Sequence, residues 1–348
     1  YKTKAIGKWH LGAHESLVPE RRGFDEFFGF IIGGHRYFPE DLTINDLTEA
    51  RRQMDGYITR IYDNGNRIDT KKYLTEELSN NAVKFIEDNS DNPFFLYLSY
   101  NAPHTPLQAT KKDLERNKHI EVEKRRTYAA MVSSMDDGIG LILDKLEEKK
   151  IKDNTIVIFF SDNGGVEWYN FSDNGVLRGI KGDFFEGGIR VPFTMQWPKK
   201  IKPGITYDKP IIALDVFATV ASAASAEKYI KNDIDGVDLL PYLTGDKFGL
   251  PHEYLYWQNP DKDIDVVRDE RYKYLRIKND EYIFDLKNDI SEETNIINSS
   301  KPIYNRLKSQ FKEWEKGMID PVFMDLGMGK EYNKLNPDRW YNDSNPKK

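Results

Sequence analysis

Two hydrophobic periods alternate along the first two thirds of the chain. Phe94-Phe95-Leu96-Tyr97-Leu98-Ser99-Tyr100 and Thr155-Ile156-Val157-Ile158-Phe159-Phe160 are almost continuously apolar. Runs of that kind predict strands buried on both faces. Residues 3–7 predict a short strand ending at Gly7, and Phe193–Trp197 another, stopped by Pro198. Between these runs the period lengthens. Leu74, Leu78, Ala82, Phe85 and Ile86 share one helical face within 72–89, and Tyr128, Met131, Met135, Ile139, Ile142 and Leu146 share one within 121–150. Residues 212–225 predict a further apolar helix. Strands alternating with helices of this length predict an α/β fold, a mostly parallel sheet sandwiched by helices.

After about residue 226 the texture changes. Tyr254–Trp257, Asp265–Val267, Tyr272–Ile277 and Tyr282–Leu286 are short strand-like runs with tight connections. Ile303, Leu307, Phe311 and Trp314 then mark one face of a helix over 302–316. This predicts a small antiparallel sheet with one helix, and a wrapping tail from about 317. The expected domains are therefore 1–225 and 226–348.

Composition narrows the class. Of 348 residues, 39% are hydrophobic and 13% aromatic, enough for a folded core. A net charge of −6 gives no electrostatic drive toward nucleic acid or anionic membranes. No apolar window approaches the length of a membrane span. Cysteine is absent, which excludes disulfides, zinc–thiolate sites and a cysteine nucleophile within these residues. The opening Tyr1-Lys2-Thr3-Lys4-Ala5-Ile6-Gly7 reads as a core strand and not as a signal peptide.

The polar clusters sit where strands end, which is where open α/β sheets bind ligands. Gly7-Lys8-Trp9-His10-Leu11-Gly12 follows one strand, Asn101-Ala102-Pro103-His104-Thr105-Pro106 a second, and Ser161-Asp162-Asn163-Gly164-Gly165 a third. Lys181-Gly182-Asp183-Phe184-Phe185-Glu186-Gly187-Gly188 precedes the next strand. Asp162 and Asn163 are hard oxygen donors suited to Ca²⁺ or Mg²⁺. Lys8 and Lys181 suit an anion, and His10 and His104 suit proton transfer near neutrality. Together they suggest metal-assisted chemistry on a phosphate or sulfate ester. They are expected to converge at the carboxyl edge of one sheet.

These four segments, in this order, resemble the motifs of the type I sulfatases of the alkaline phosphatase superfamily. The resemblance extends through Leu214–Phe217 and Asp235–Leu240 over nearly the whole chain. It implies calcium-dependent hydrolysis of a sulfate ester, in which a formylglycine hydrate attacks sulfur and enzyme-bound sulfate is then eliminated. Carried across, Asp162 and Asn163 are metal ligands, and Lys8 holds the sulfate and the formylglycine. His10 assists elimination, while His104 and Lys181 bind sulfate oxygens and serve the leaving oxygen. Family habit implies a periplasmic, secreted or lysosomal enzyme.

The sequence departs from that pattern in one respect. The family's upstream Asp pair and its Cys/Ser-x-Pro-x-Arg signature, source of the formylglycine, have no counterpart in these residues. Leu17-Val18-Pro19-Glu20-Arg21 has the spacing, but leucine cannot become an aldehyde. The expectation is an N-terminally truncated chain lacking two or three βαβ units, roughly 60–100 residues, and inactive by itself. The rival readings are a phosphoesterase of the same superfamily and a non-catalytic protein binding sulfated glycans.

Gly33-Gly34-His35-Arg36-Tyr37-Phe38 lies where the family varies with substrate. His35 and Arg36 are expected to contact a sugar through hydrogen bonds. Other polar residues read as structural: Glu186 with Arg190 as a pair, Asp215 at a helix start, His119 in solvent, and His14 and His252 without a supporting frame.

Overall fold

The structure is a computed structural model, and it describes residues 1–319. The described residues divide into two compact units: residues 1–155 with 166–173, and 156–165 with 174–319. This division falls well before the expected boundary at 225. Most of the tail expected from 317 lies outside the described residues.

The first unit is built on a five-stranded sheet of order β4-β3-β2-β1-β5. Its strands are β1 (Lys2–Lys8), β2 (Glu26–Phe30), β3 (Ile61–Asp63), β4 (Asn66–Ile68) and β5 (Phe94–Ser99). β1 runs parallel to both β2 and β5, and β3 and β4 extend the sheet antiparallel. Helices α1 (Leu74–Asp88), α2 (Lys111–Arg116), α3 (Glu123–Glu148) and the short α4 (Glu167–Asn170) complete the unit. The predicted stripe of α1 is buried in full: Leu74, Leu78, Ala82, Phe85 and Ile86. Strand alternation divides β1 between two cores. Ile6 joins Phe28, Phe30, Leu74, Leu78 and Met131, while Ala5 joins Trp9, Phe27 and Ile31 on the other side.

β5 corrects one expectation. It is an edge strand of the described sheet; Leu96 and Leu98 pack into the core and Phe94 meets the buried Phe85 edge-on. Phe95 and Tyr97 face the other way, about two fifths exposed, with Phe24 against both rings. A continuous apolar run records that both faces are hydrophobic, not that both are covered.

In the second unit, β6 (Val157–Phe160) pairs antiparallel with β7 (Phe193–Gln196) in a two-stranded sheet of its own. It is not a further strand of the parallel sheet, and Phe159 and Phe160 are exposed. Between these strands lies α5 (Glu186–Ile189); α6 (Leu214–Ala223) and α7 (Leu240–Thr244) follow. The predicted small sheet is an antiparallel meander of β8 (Leu255–Asn259), β9 (Ile264–Arg268), β10 (Tyr272–Ile277) and β11 (Asp280–Asp285). One face packs on α8 (Lys301–Glu315), through Val267, Tyr274, Ile283, Leu307 and Phe311. The other receives Phe184 and Phe185 from the Lys181 segment.

No helix among the described residues is long and apolar enough to cross a membrane.

Candidate functional site

Lys8, His10 and His104 occupy one edge of the first unit. β1 ends at Lys8 and its neighbour β5 at Ser99, with Gly7 in register with Ser99, so the segments that follow leave the sheet side by side. Gly7 permits this approach. It has φ +103°, and a Cβ there would lie 2.1 Å from the Ser99 carbonyl oxygen. The Ser99 hydroxyl donates to the Lys8 carbonyl, joining the two strand ends.

His10 adopts a left-handed backbone, φ 58°, and its N–H donates to Ile31 at 2.9 Å. Its ring lies against Gly33, where a Cβ would stand 2.7 Å from Nε2. His104 is oriented from both ends. Its N–H donates to Asn101 at 2.7 Å, and the Tyr37 hydroxyl donates to its carbonyl at 2.8 Å. Its Nδ1 stands 2.7 Å from the Thr105 carbonyl. A carbonyl only accepts, so Nδ1 carries a proton and Nε2 is the basic nitrogen of the neutral ring.

The expected roles of His35 and Arg36 separate here. His35 is fully buried. Its Nδ1 and Nε2 lie 2.9 and 2.8 Å from the carbonyls of Arg36 and Thr59, and its ring packs on Phe30. Burial pulls its pKa down to about 4, although both carbonyls favour the proton. The imidazole braces the loop from within and does not reach a surface ligand. Arg36 is half exposed and pairs with Asp41 at 3.6 Å. Asp41 accepts from Gln108 at 2.6 Å, and Gln108 accepts from the Tyr37 N–H at 3.0 Å. Arg36 and His104 thus hang on one hydrogen-bonded frame, which residue spacing could not reveal.

Asp162, Asn163 and Lys181 lie on two stitched loops of the second unit. The Gly164 N–H donates to Gly188 at 3.0 Å, and a Cβ at Gly164 would overlap the Gly187 carbonyl. Asn174 joins the loops. Its Oδ1 accepts from the Gly165 N–H at 2.9 Å, while its Nδ2 donates to Gly165 at 3.1 Å and Gly179 at 3.0 Å. Sequence reasoning missed Asn174, although an Asn-Gly pair between two motif loops was a usable signal.

The donor set suits a hard cation in kind. The Asn163 amide nitrogen donates to Gly164 at 2.9 Å, so its Oδ1 is not used in that bond, and the neighbouring Asp162 is exposed. It falls short in number: Ca²⁺ takes 6–8 oxygens, and among the described residues no group of three or more His, Asp or Glu side chains is placed so that it could hold a metal ion.

The Lys181 frame is anchored by a buried ionic cluster. Glu186 meets Lys273 at 3.2 Å and Arg268 at 3.2 Å; Lys273 also meets Glu292 at 2.8 Å. The expected pair with Arg190 is present but longer, 3.6 Å. Burial raises the Glu186 carboxyl, but Lys273 and Arg268 outweigh it and leave its pKa below the ordinary value. For Glu292 burial dominates and the pKa is raised. Asp215 is also structural: it accepts from the Ile212 and Val237 N–H groups and pairs with His252 Nε2 at 2.7 Å.

Comparison with known proteins assigns the chain. The sulfatase family model matches residues 1–226, and the model for the C-terminal part of N-sulphoglucosamine sulphohydrolase matches 181–317. An uncharacterized sulfatase of Escherichia coli, YdeN, is 32% identical over 315 residues, covering 81% of this chain and 52% of that protein. Arylsulfatase J of Mus musculus is 28% identical, covering 99% of this chain and 53% of its own. The chain spans about half the length of these curated relatives. Among solved structures, Ps i-CgsB in complex with a neocarrahexaose superposes with a TM-score of 0.86 at 32% identity, covering 99% of this chain and 78% of that one. On the family match over residues 1–226 and the identity to YdeN, this chain belongs to the sulfatase family.

Proposed function

We propose that this chain serves the hydrolysis of sulfate esters on a sulfated carbohydrate. The observation that carries this is the sulfatase match over residues 1–226, which includes all six polar residues of the candidate site. The likeness to Ps i-CgsB with its neocarrahexaose supports an oligosaccharide substrate.

In this reading Lys8, His104 and Lys181 bind the sulfate oxygens and offset charge that builds in the transition state. His104, with Nδ1 held by the Thr105 carbonyl, must first take a proton at Nε2 and, as the imidazolium, delivers that proton to the leaving sugar oxygen. His10 moves the proton needed for sulfate release. Asp162 and Asn163 would hold calcium, which when bound adds positive charge at the sulfate. The resemblance assigns the attacking oxygen to a formylglycine, for which these 348 residues contain neither a Cys nor a Ser-x-Pro-x-Arg frame. The family resemblance implies a site of action in the periplasm, the lysosome or the cell exterior.

The test is sulfate release from a sulfated neocarrahexaose, measured for this chain and for a version extended by a formylglycine-bearing sulfatase segment. Turnover is expected only from the extended protein, with a His104→Ala variant slowed by about 10²-fold or more. Turnover by the 348-residue chain, or an extended His104→Ala protein at the full rate, would overturn the reading.

A further inference from the structure

One loop of the first unit is tied to both candidate histidines. At its start, the His10 N–H donates to Ile31 at 2.9 Å and the His10 ring lies against Gly33. At its end, the Tyr37 hydroxyl donates to the His104 carbonyl at 2.8 Å. Between them, the Asn101 amide nitrogen donates to the His35 carbonyl at 3.4 Å. Residues 31–38 therefore run from one histidine segment to the other.

Within that loop a single residue is exposed. Ile31, Gly34, His35 and Tyr37 are buried, and Ile32 and Phe38 pack against the core that holds Phe30 and Leu74. Arg36 is the exception, its side chain 46% exposed. Its backbone is fixed on both sides: its N–H donates to Tyr57 at 2.9 Å, and its carbonyl lies 2.9 Å from His35 Nδ1. A charge carried on a fixed backbone has only side-chain freedom to lose on binding.

The guanidinium is loosely engaged. Asp41 Oδ1 lies 3.6 Å away, beyond hydrogen-bond length, while Asp41 Oδ2 already accepts from Gln108 at 2.6 Å. The planar fork of N–H donors on Arg36 matches two oxygens of one anion. We propose that Arg36 binds a second anionic group of the substrate glycan, a sulfate or a carboxylate on the sugar next to the one whose sulfate ester meets His10 and His104. The loop thereby selects multiply charged glycans. This deepens the sulfated-carbohydrate reading and rests on it.

The experiment is calorimetric titration of the 348-residue chain with four disaccharides: unsulfated, monosulfated, disulfated with one sulfate on each sugar, and monosulfated with a uronate as the second sugar. The wild type should bind the disulfated or the uronate probe about tenfold more tightly than the monosulfated one. That gain should shrink as salt is raised, and the larger of the two gains names the anion. Arg36→Gln should erase the gain and bind the monosulfated probe as the wild type does. Arg36→Lys, which keeps the charge and loses the fork, should retain part of it. No second-anion gain in the wild type, or the full gain in Arg36→Gln, overturns the Arg36 site and leaves the sulfatase reading standing. Equal wild-type affinity for the unsulfated and monosulfated probes overturns the sulfated-substrate reading, while a second-anion gain lost in Arg36→Gln still upholds the anion site. Binding of none of the four overturns both.

Discussion

The two halves of the candidate chemistry are held in place by different physics. In the first unit, His10 and His104 are positioned by backbone hydrogen bonds and a neutral phenol, the Ile31 and Asn101 carbonyls and the Tyr37 hydroxyl, while the buried His35 ring braces the nearby loop through the Arg36 and Thr59 carbonyls. In the second, the Lys181 segment is pinned by Glu186, Lys273, Arg268 and Glu292, all mostly or wholly buried. Neutral hydrogen bonds contribute about 1 kcal/mol each and degrade gradually. A buried ionic cluster contributes little over an apolar equivalent, yet it fails abruptly when one member is removed. The two regions should therefore respond to mutation and to acid in different ways.

The largest expected effect tests the ionic side. Lys273→Met strands the Glu292 carboxylate, leaves Glu186 to Arg268 and Arg190, and should cost about 3–5 kcal/mol, read from urea unfolding. A loss below about 1 kcal/mol would put the cluster in the same class as the neutral contacts.

Acid should act next, and first on the neutral side. The pKa of His35 is depressed from 6.5 to about 4, so its contribution is fully present above pH 6.5 and is lost as pH falls through 4. The whole loss is about 3 kcal/mol, and it should slow or vanish in a His35→Asn variant. Glu186, also depressed, holds its contribution until the pH drops below the ordinary glutamate range. Glu292, with its pKa raised, gains stability on protonation and blunts that loss. Hydrogen exchange between pH 6.5 and 4 should therefore loosen the Gly33–Phe38 loop before the Lys181 segment. The reverse order would break the comparison.

Asn174→Ala tests whether the second unit depends on its cluster alone. Removing its hydrogen bonds to Gly165 and Gly179 should cost about 1–3 kcal/mol, with faster exchange at the Gly165 N–H. Unchanged exchange there would show that the cluster suffices. The smallest effect is expected for Tyr37→Phe. Loss of the bond to the His104 carbonyl should cost about 1 kcal/mol, with a change in the His104 ring resonances by NMR. Resonances identical to wild type would mean that the Asn101 and Thr105 contacts fix His104 without Tyr37.

Local pattern was a good guide wherever one element carried its own signal. The α1 and α8 faces, the four-strand meander and the strand ends bearing Lys8, His104 and Asp162 were all legible, because periodicity and flanking Gly or Pro act over a few residues. β2 was not legible as a strand: five residues with Gly29 inside make a weak pattern. His35 was misjudged because a His-Arg-aromatic cluster looks alike whether the ring points outward or is enclosed by two carbonyls.

What the sequence determined by itself is therefore the kind of elements, their order, and the chemical types at the strand ends. Those follow from short-range sterics and side-chain chemistry. The partners were decided only in three dimensions. They include the antiparallel pairing of β6 with β7, the bare face of β5, the bond from Tyr37 to His104 across 67 positions, and the burial of Glu186 against Lys273 across 87. Such contacts depend on which surfaces meet after the chain has closed on itself, and no local run of residues encodes that.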